Sequence, residues 1–200
     1  MKKIIGINFI IILALIISGV YYISIYNNIS ENIIRLHVIS NSNSKTDTNI
    51  KFGVRDNILD SIKGMLEKTP EKKDIISKIP KIELLANEYL KKTGAGYSAK
   101  VIFEDTKIPR KEYNGIVLPK GNYEAIRVIL GNGEGENWWC VAYPPLCFTE
   151  QTFGNMSEEG LKTLENSLDN ESYRIITSEI NYEFKILEIA EKIAQAIKSR

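Results

Sequence analysis

Hydrophobic positions fall along this chain in three rhythms, and each predicts a different element. From Ile4 to Tyr26 the run IIGINFIIILALIISGVYYISIY is apolar on every side and carries no charge. About 20 such residues cross a hydrocarbon layer about 30 Å thick, whereas the helix of a soluble domain shows an apolar stripe on one face. A polar juncture over 27–32 follows. Residues 33–40 then alternate, with Ile34, Leu36 and Val38 on one side and Arg35 and His37 on the other, as in a half-buried strand. The cluster Ser40-Asn41-Ser42-Asn43 breaks this strand. Ser44 and Asp47 resemble a capping box, and Ile50, Val54, Ile58, Ile62 and Met65 or Leu66 recur at helical spacing. They predict a helix over 45–67 that stops before Pro70.

Pro80 divides the next charged stretch into a short helical turn and a helix over 81–92, which Gly94 and Gly96 end. Strand alternation returns at 97–104, with Tyr97, Ala99, Val101 and Phe103 on one face. An edge strand is expected at 112–118, and strands at 123–130 and 138–143 joined as a hairpin-like meander. Beyond Pro144-Pro145, helical periodicity covers 157–168 and 178–198, the latter through Ile180, Phe184, Leu187, Ile189, Ile193 and Ile197. The tally is an α+β fold: a small, mostly antiparallel sheet of three or four strands with several helices, preceded by an N-terminal hydrophobic segment. Two units follow, a membrane anchor or signal peptide over 1–26 and a single extracytoplasmic domain over 27–200.

Charge orients this arrangement. Lys2 and Lys3 precede the apolar run and no basic residue follows until Arg35, so the N-terminus faces the cytoplasm and the remainder lies across the membrane. With those two lysines set aside, 24 basic residues stand against 25 acidic ones. No basic field is present to attract nucleic acid. Sites near Ser18 and Ser24 lack the small-x-small pattern of signal-peptide cleavage, because Ile16 and Tyr22 intervene. An uncleaved anchor and a cleaved signal peptide both remain open.

Outside the cytosol, thiols can oxidise and stay oxidised. Cys140 and Cys147 are therefore a candidate disulfide closing a short loop, worth on the order of 2.5 kcal/mol in the chain-entropy model. Free buried thiols are the alternative. A zinc site would need four ligands, and two cysteines with the distant His37 fall short, so no metal or other cofactor is expected. The glycines at 131, 133 and 135 precede a Trp-Trp strand where a phosphate loop would precede a helix, and they read as a turn. His37 is the only histidine, which leaves a histidine-based catalytic set without support. A strand-surface residue bonded to its neighbours is the plainer reading of it.

The densest chemical feature is Asn137-Trp138-Trp139-Cys140-Val141-Ala142-Tyr143-Pro144-Pro145-Leu146-Cys147-Phe148, which holds both tryptophans and both cysteines of the chain. Adjacent strand residues point to opposite faces, so Trp138 and Trp139 cannot enter one core. Either helices cover both faces or one indole is offered to a partner, as large rigid aromatics are at binding hot spots.

This segment, with Gly133 and Gly135 before it, resembles the signature of the stage II sporulation protein R family. Ile34-Arg35-Leu36-His37-Val38-Ile39 with Asn41-Ser42, and Val54-Arg55-Asp56 in the first helix, resemble that family's other marked region. The resemblance implies a non-enzymatic signal of endospore formation, exported by the forespore into the intermembrane space. There it would activate a membrane-embedded aspartic-type protease of the mother cell that processes the sigma-E precursor. On that reading the partner contacts are Trp138, Trp139, Pro144, Pro145 and Leu146, with Arg35, His37 and Arg55. A rival expectation is an extracytoplasmic hydrolase acting on cell wall or peptide, which would turn over substrate without a partner.

Overall fold

The computed structural model describes residues 2–63, 71–113, 115–146 and 158–178. In chain order the elements are α1 (Lys2–Asn32), β1 (Ile34–Ile39), α2 (Lys45–Lys63), α3 (Lys72–Ser77), α4 (Ile79–Thr93), β2 (Ala99–Ile108), β3 (Lys111–Tyr113), β4 (Ile116–Leu118), β5 (Gly121–Leu130), β6 (Asn137–Tyr143), α5 (Glu158–Ser167) and α6 (Asn170–Thr177). The α+β class read from the pattern is the class observed. Beyond Ser178, which caps α6 in extended backbone, the helix expected over 178–198 lies outside the described residues, as do residues 64–67 at the end of the first expected helix. Helix α6 was not foreseen, although Asp169 caps it by accepting a hydrogen bond from Ser172 N at 2.7 Å.

Four strands form one mixed sheet in the order β2-β5-β1-β6, and β3 pairs with β4 in a separate hairpin. β1 runs parallel to β5 and antiparallel to β6, while β2 and β5 are antiparallel. The expected meander between β5 and β6 is therefore opened by β1, which comes from much earlier in the chain. The glycine-rich connection has the length to step across one intervening strand, a distance of about 10 Å. At the opposite edge, α4 satisfies backbone groups of β2. Asn87 both accepts from Ala99 N (2.9 Å) and donates to Ala99 O (3.0 Å), and Glu83 Oε2 accepts from Val101 N (2.8 Å).

Helices cover both faces. On one, Ile34, Leu36 and Val38 of β1 and Ile126 and Val128 of β5 pack against Val54 and Ile58 of α2 and Ile82, Leu85, Ala86 and Leu90 of α4. The other face carries a second core built from Tyr123, Ala125 and Val141 of the sheet, Ile116 and Leu118 of β4, Leu164 of α5, and Ile175 and Ile176 of α6. Ile25, Ile29 and Ile33 complete it. The expected polar juncture over 27–32 is thus the last part of one unbroken helix, because isoleucines four residues apart give α1 an inward stripe just where its outward face turns polar. With both faces covered, β1 is buried along its whole length, Arg35 and His37 included. The half-buried strand expected from alternation is corrected accordingly.

Ile29 is fully buried and Ile12, on the same helix, is 56% exposed. Truncation of a buried isoleucine to alanine costs about 2–5 kcal/mol. Ile29→Ala is expected to lower the unfolding free energy of the detergent-solubilised chain in urea by that amount, and so its midpoint, and Ile12→Ala to leave both unchanged; equal midpoints would contradict the docking of α1 in the core.

Candidate functional site

The pairing of β1 with β6 brings the two most distinctive sequence segments into register, Leu36 against Cys140, His37 against Trp139 and Val38 against Trp138. Arg35, on the α1 side of the sheet, is fully buried. Its Nε donates to the Cys140 carbonyl (3.2 Å) and its Nη2 to the Tyr113 hydroxyl (2.7 Å). The guanidinium also lies 5.5 Å from the ring centre of Tyr113 and 5.2 Å from that of Tyr123. These rings supply cation–π attraction in a desolvated setting. The arrangement ties β1, β6, β5 and the β3–β4 hairpin to one side chain.

His37 stacks on Trp139 with ring centres 3.6 Å apart and planes 17° from parallel. An amide oxygen can only accept, so the 2.7 Å contact to Asn137 Oδ1 is a bond donated by His37 Nε2. This fixes the tautomer and leaves Nδ1 buried without a partner. Burial holds the imidazole neutral by lowering its pKa to about 4, against the opposing pull of the Asn137 bond. The surface position expected for His37 is corrected: its side chain is buried, with the ring stacked on Trp139.

Trp138 points to the opposite face, where Arg55 of α2 lies 5.2 Å from its ring centre and 4.8 Å from that of Phe52. Arg55 Nε donates to Asp56 Oδ1 at 2.7 Å. Both indoles are half-buried, and Phe52 is 37% exposed. Lys51, one residue away, is 2% exposed and donates to the Glu136 carbonyl at 3.1 Å; burial lowers its pKa. Sequence reasoning passed over Phe52 and Lys51, because helical periodicity alone makes them neighbours of Arg55 without saying that β6 lies alongside.

The distal end is a clasp that was also not foreseen. Asp47 accepts from Ser42 Oγ (2.5 Å) and Asn41 Nδ2 (2.9 Å) with Oδ2, and from the Tyr97 hydroxyl (2.6 Å) with Oδ1. These bonds, led by Ser42, lower its pKa to about 2. The first half of the expected capping box is present, with Asp47 N donating to Ser44 Oγ at 3.0 Å. The glycine turn docks here: Asn132 N donates to Asn41 Oδ1 (2.9 Å) and Gly135 N to Ser40 O (2.9 Å). A side chain at position 135 would lie 2.3 Å from Ser42 O, so the close approach itself demands glycine, while Gly133 supplies a φ of 66°. The glycine run is structural here, as its context indicated.

At the proximal end of β6, Pro144 and Leu146 are buried and Pro145 is half-buried. Cys140, buried in the first core, is disulfide-bonded; Cys147, its expected partner, lies outside the described residues. Of the eight expected contact residues, Trp138 and Arg55 share one face and Arg35, His37 and Trp139 the other. Pro144, Pro145 and Leu146 follow at the strand end.

Two titrations separate these clusters. The unfolded imidazole takes a proton near pH 6.5 and the folded one near 4, so the contribution of neutral His37 is complete above about pH 6.5 and is lost as pH falls toward 4. For Asp47 the contribution is complete above the ordinary carboxylate range near pH 4 and is lost as pH falls toward 2. The urea midpoint is expected to fall in both windows. His37→Phe, which keeps a ring on Trp139, removes the upper decline and Asp47→Asn the lower; variant curves parallel to the wild type would refute both assignments.

Comparison with known proteins bears on the same segments. The family model described as stage II sporulation protein R matches residues 30–153. Stage II sporulation protein R of Bacillus subtilis (strain 168) is 39% identical over 135 residues, covering 66% of this chain and 60% of that protein. The matched part thus spans about three fifths of the relative's length. No solved structure gives a significant match. Because the family model extends over more than half of the chain and takes in β1 through β6 together with the Asp47 clasp, the chain belongs to the stage II sporulation protein R family.

Proposed function

We propose that this protein is an exported sporulation signal, held by or released from the forespore membrane through α1, that acts in the intermembrane space. It activates a membrane-embedded aspartic-type protease of the mother cell, which then processes the sigma-E precursor. The observation that carries this reading is the family match across the β1–β6 pair, together with an apolar helix of membrane-crossing length and composition at Asn8–Asn32. The domain works as a ligand. To activate, it binds the active state of the protease more tightly than the inactive one, since equal affinity for both shifts nothing.

The contact surface centres on Trp138, with Arg55 beneath it and Phe52 beside it. Arg and Trp are the residue types that dominate binding hot spots, and this trio offers a broad, partly exposed aromatic area whose rotamers are already restrained. Pro145 and Trp139 extend the surface toward the strand end and the opposite face. Arg35, His37, Pro144 and Leu146 act from below, by holding β6 in place. Cys140 pairs with Cys147, clamping the proline segment to β6.

Two measurements test this. Co-expression of the exported chain with the protease and its pro-sigma substrate is expected to give cleavage that depends on the chain. Phe52→Ala and Trp138→Ala lower it by roughly thirtyfold, the equivalent of about 2 kcal/mol at a hot spot, while circular dichroism of Phe52→Ala stays native. Cleavage without the chain, or undiminished in both variants, contradicts the proposal. For the cysteines, the denatured, unreduced protein is expected to titrate no free thiol; two free thiols would reject the pairing.

A further inference from the structure

Ile4–Val20 supplies 17 uncharged residues between Lys3 and Tyr21, about 26 Å of helix, close to the thickness of a hydrocarbon layer of about 30 Å. Contact with the domain begins at the very next residue. The Tyr21 hydroxyl donates to Glu171 Oε1 at 2.6 Å, Tyr22 packs on the second core and stacks on Tyr26, and Ile25 is 5% exposed. Helical geometry continues through this point to Asn32. Side chains on the stretch from Phe9 to Val20 are, by contrast, largely exposed apolar groups.

We infer that α1 is a single rod shared by bilayer and domain, so that the domain sits directly on the phospholipid headgroups with no linker. This rests on reading α1 as a membrane span. The lipid-facing surface is the rim around the point where α1 emerges: Tyr21 and Tyr22, of a residue type that concentrates at membrane–water boundaries, Glu171 and Arg174 of α6, and the turn carrying Lys120 and Asn122. The direction of the strands follows from two contacts. The Tyr26 hydroxyl donates to Asn122 O at 2.7 Å, and farther along the chain Arg35 aligns with Ala125 in the parallel β1–β5 pair. Helix and strand therefore advance together, away from the lipid. β5 is 10 residues long, about 33 Å, which carries the turn at Asn132 to the far end. Trp138 pairs with Val38, and Val38 with Val128, so the Trp138 surface is held about 20 Å along the strands from Asn122. A partner in the facing membrane meets this surface about 20 Å in front of the membrane that holds α1.

The test uses the full chain with Asn122→Cys or Asn132→Cys, labelled without reductant with an environment-sensitive fluorophore. It is reconstituted in phosphatidylcholine–phosphatidylglycerol vesicles doped with headgroup-nitroxide lipid. Quenching at position 122 is expected to exceed that at 132 several-fold, and a six-residue Gly-Ser insert between Val20 and Tyr21 brings 122 down to the level of 132. Equal quenching at the two sites in a chain that floats with the vesicles overturns the inference alone, as does quenching at 122 that the insert leaves unchanged. A chain that fails to float refutes the span itself and the inference with it.

Discussion

Backbone pairing of β1 with β5 on one side and β6 on the other leaves this strand without a free edge, and helices on both faces leave it without a solvent side. Every residue from Ile34 to Ile39 is buried as a result. Its six residues follow directly on α1 and lead through the Ser40–Ser44 loop into α2. The strand that organises the sheet is therefore also the link between the apolar helix and the aromatic surface. Displacing it would separate β5 from β6, Arg35 from the Cys140 carbonyl, and His37 from Trp139 in one event.

Such a position is costly for charged and polar side chains. A buried guanidinium loses several kcal/mol of hydration, and the contacts of Arg35 in this structure are a carbonyl, a hydroxyl and two tyrosine rings. Cation–π contacts worth about 2 kcal/mol when desolvated, together with charge-assisted hydrogen bonds of about 1.5–3 kcal/mol, offset part of that loss, while Nη1 stays buried without a hydrogen-bond partner. What the arrangement gains is specificity of placement. An aliphatic residue at position 35 would fill the space without fixing where Tyr113 and the β6 backbone lie. His37 meets the same constraint differently, by staying neutral and stacking on the indole.

Much of the fold is legible in the chain because local rhythm determines local structure. Helices α2 and α4, strands β1, β2, β5 and β6, and the apolar leader follow from periodicity, prolines and glycines alone. The errors share one origin. Alternation shows that Arg35 and His37 oppose Ile34 and Leu36, but whether that second face meets water depends on α1 and α6 packing over it. Likewise the glycine turn marks an interruption between β5 and β6, but the strand that fits between them lies about 100 residues earlier. The candidate surface follows the same rule. Trp138 and Arg55 can each be singled out by type, whereas their stacking, the exposure of Phe52 beside them and the Asp47 clasp are products of long-range pairing. The family resemblance joined segments that the local reading could not.

The most direct test of β1 as the organising element is native-state amide exchange of the intact domain. The amides of Leu36 and Val38, and those through which β6 pairs with β1, are expected to exchange only through global unfolding, with the same free energy and the same denaturant dependence. Exchange of β1 and β6 by a separate, lower-energy opening while β2 and β5 stay protected would show that the central strand does not hold the sheet together, and would contradict the account.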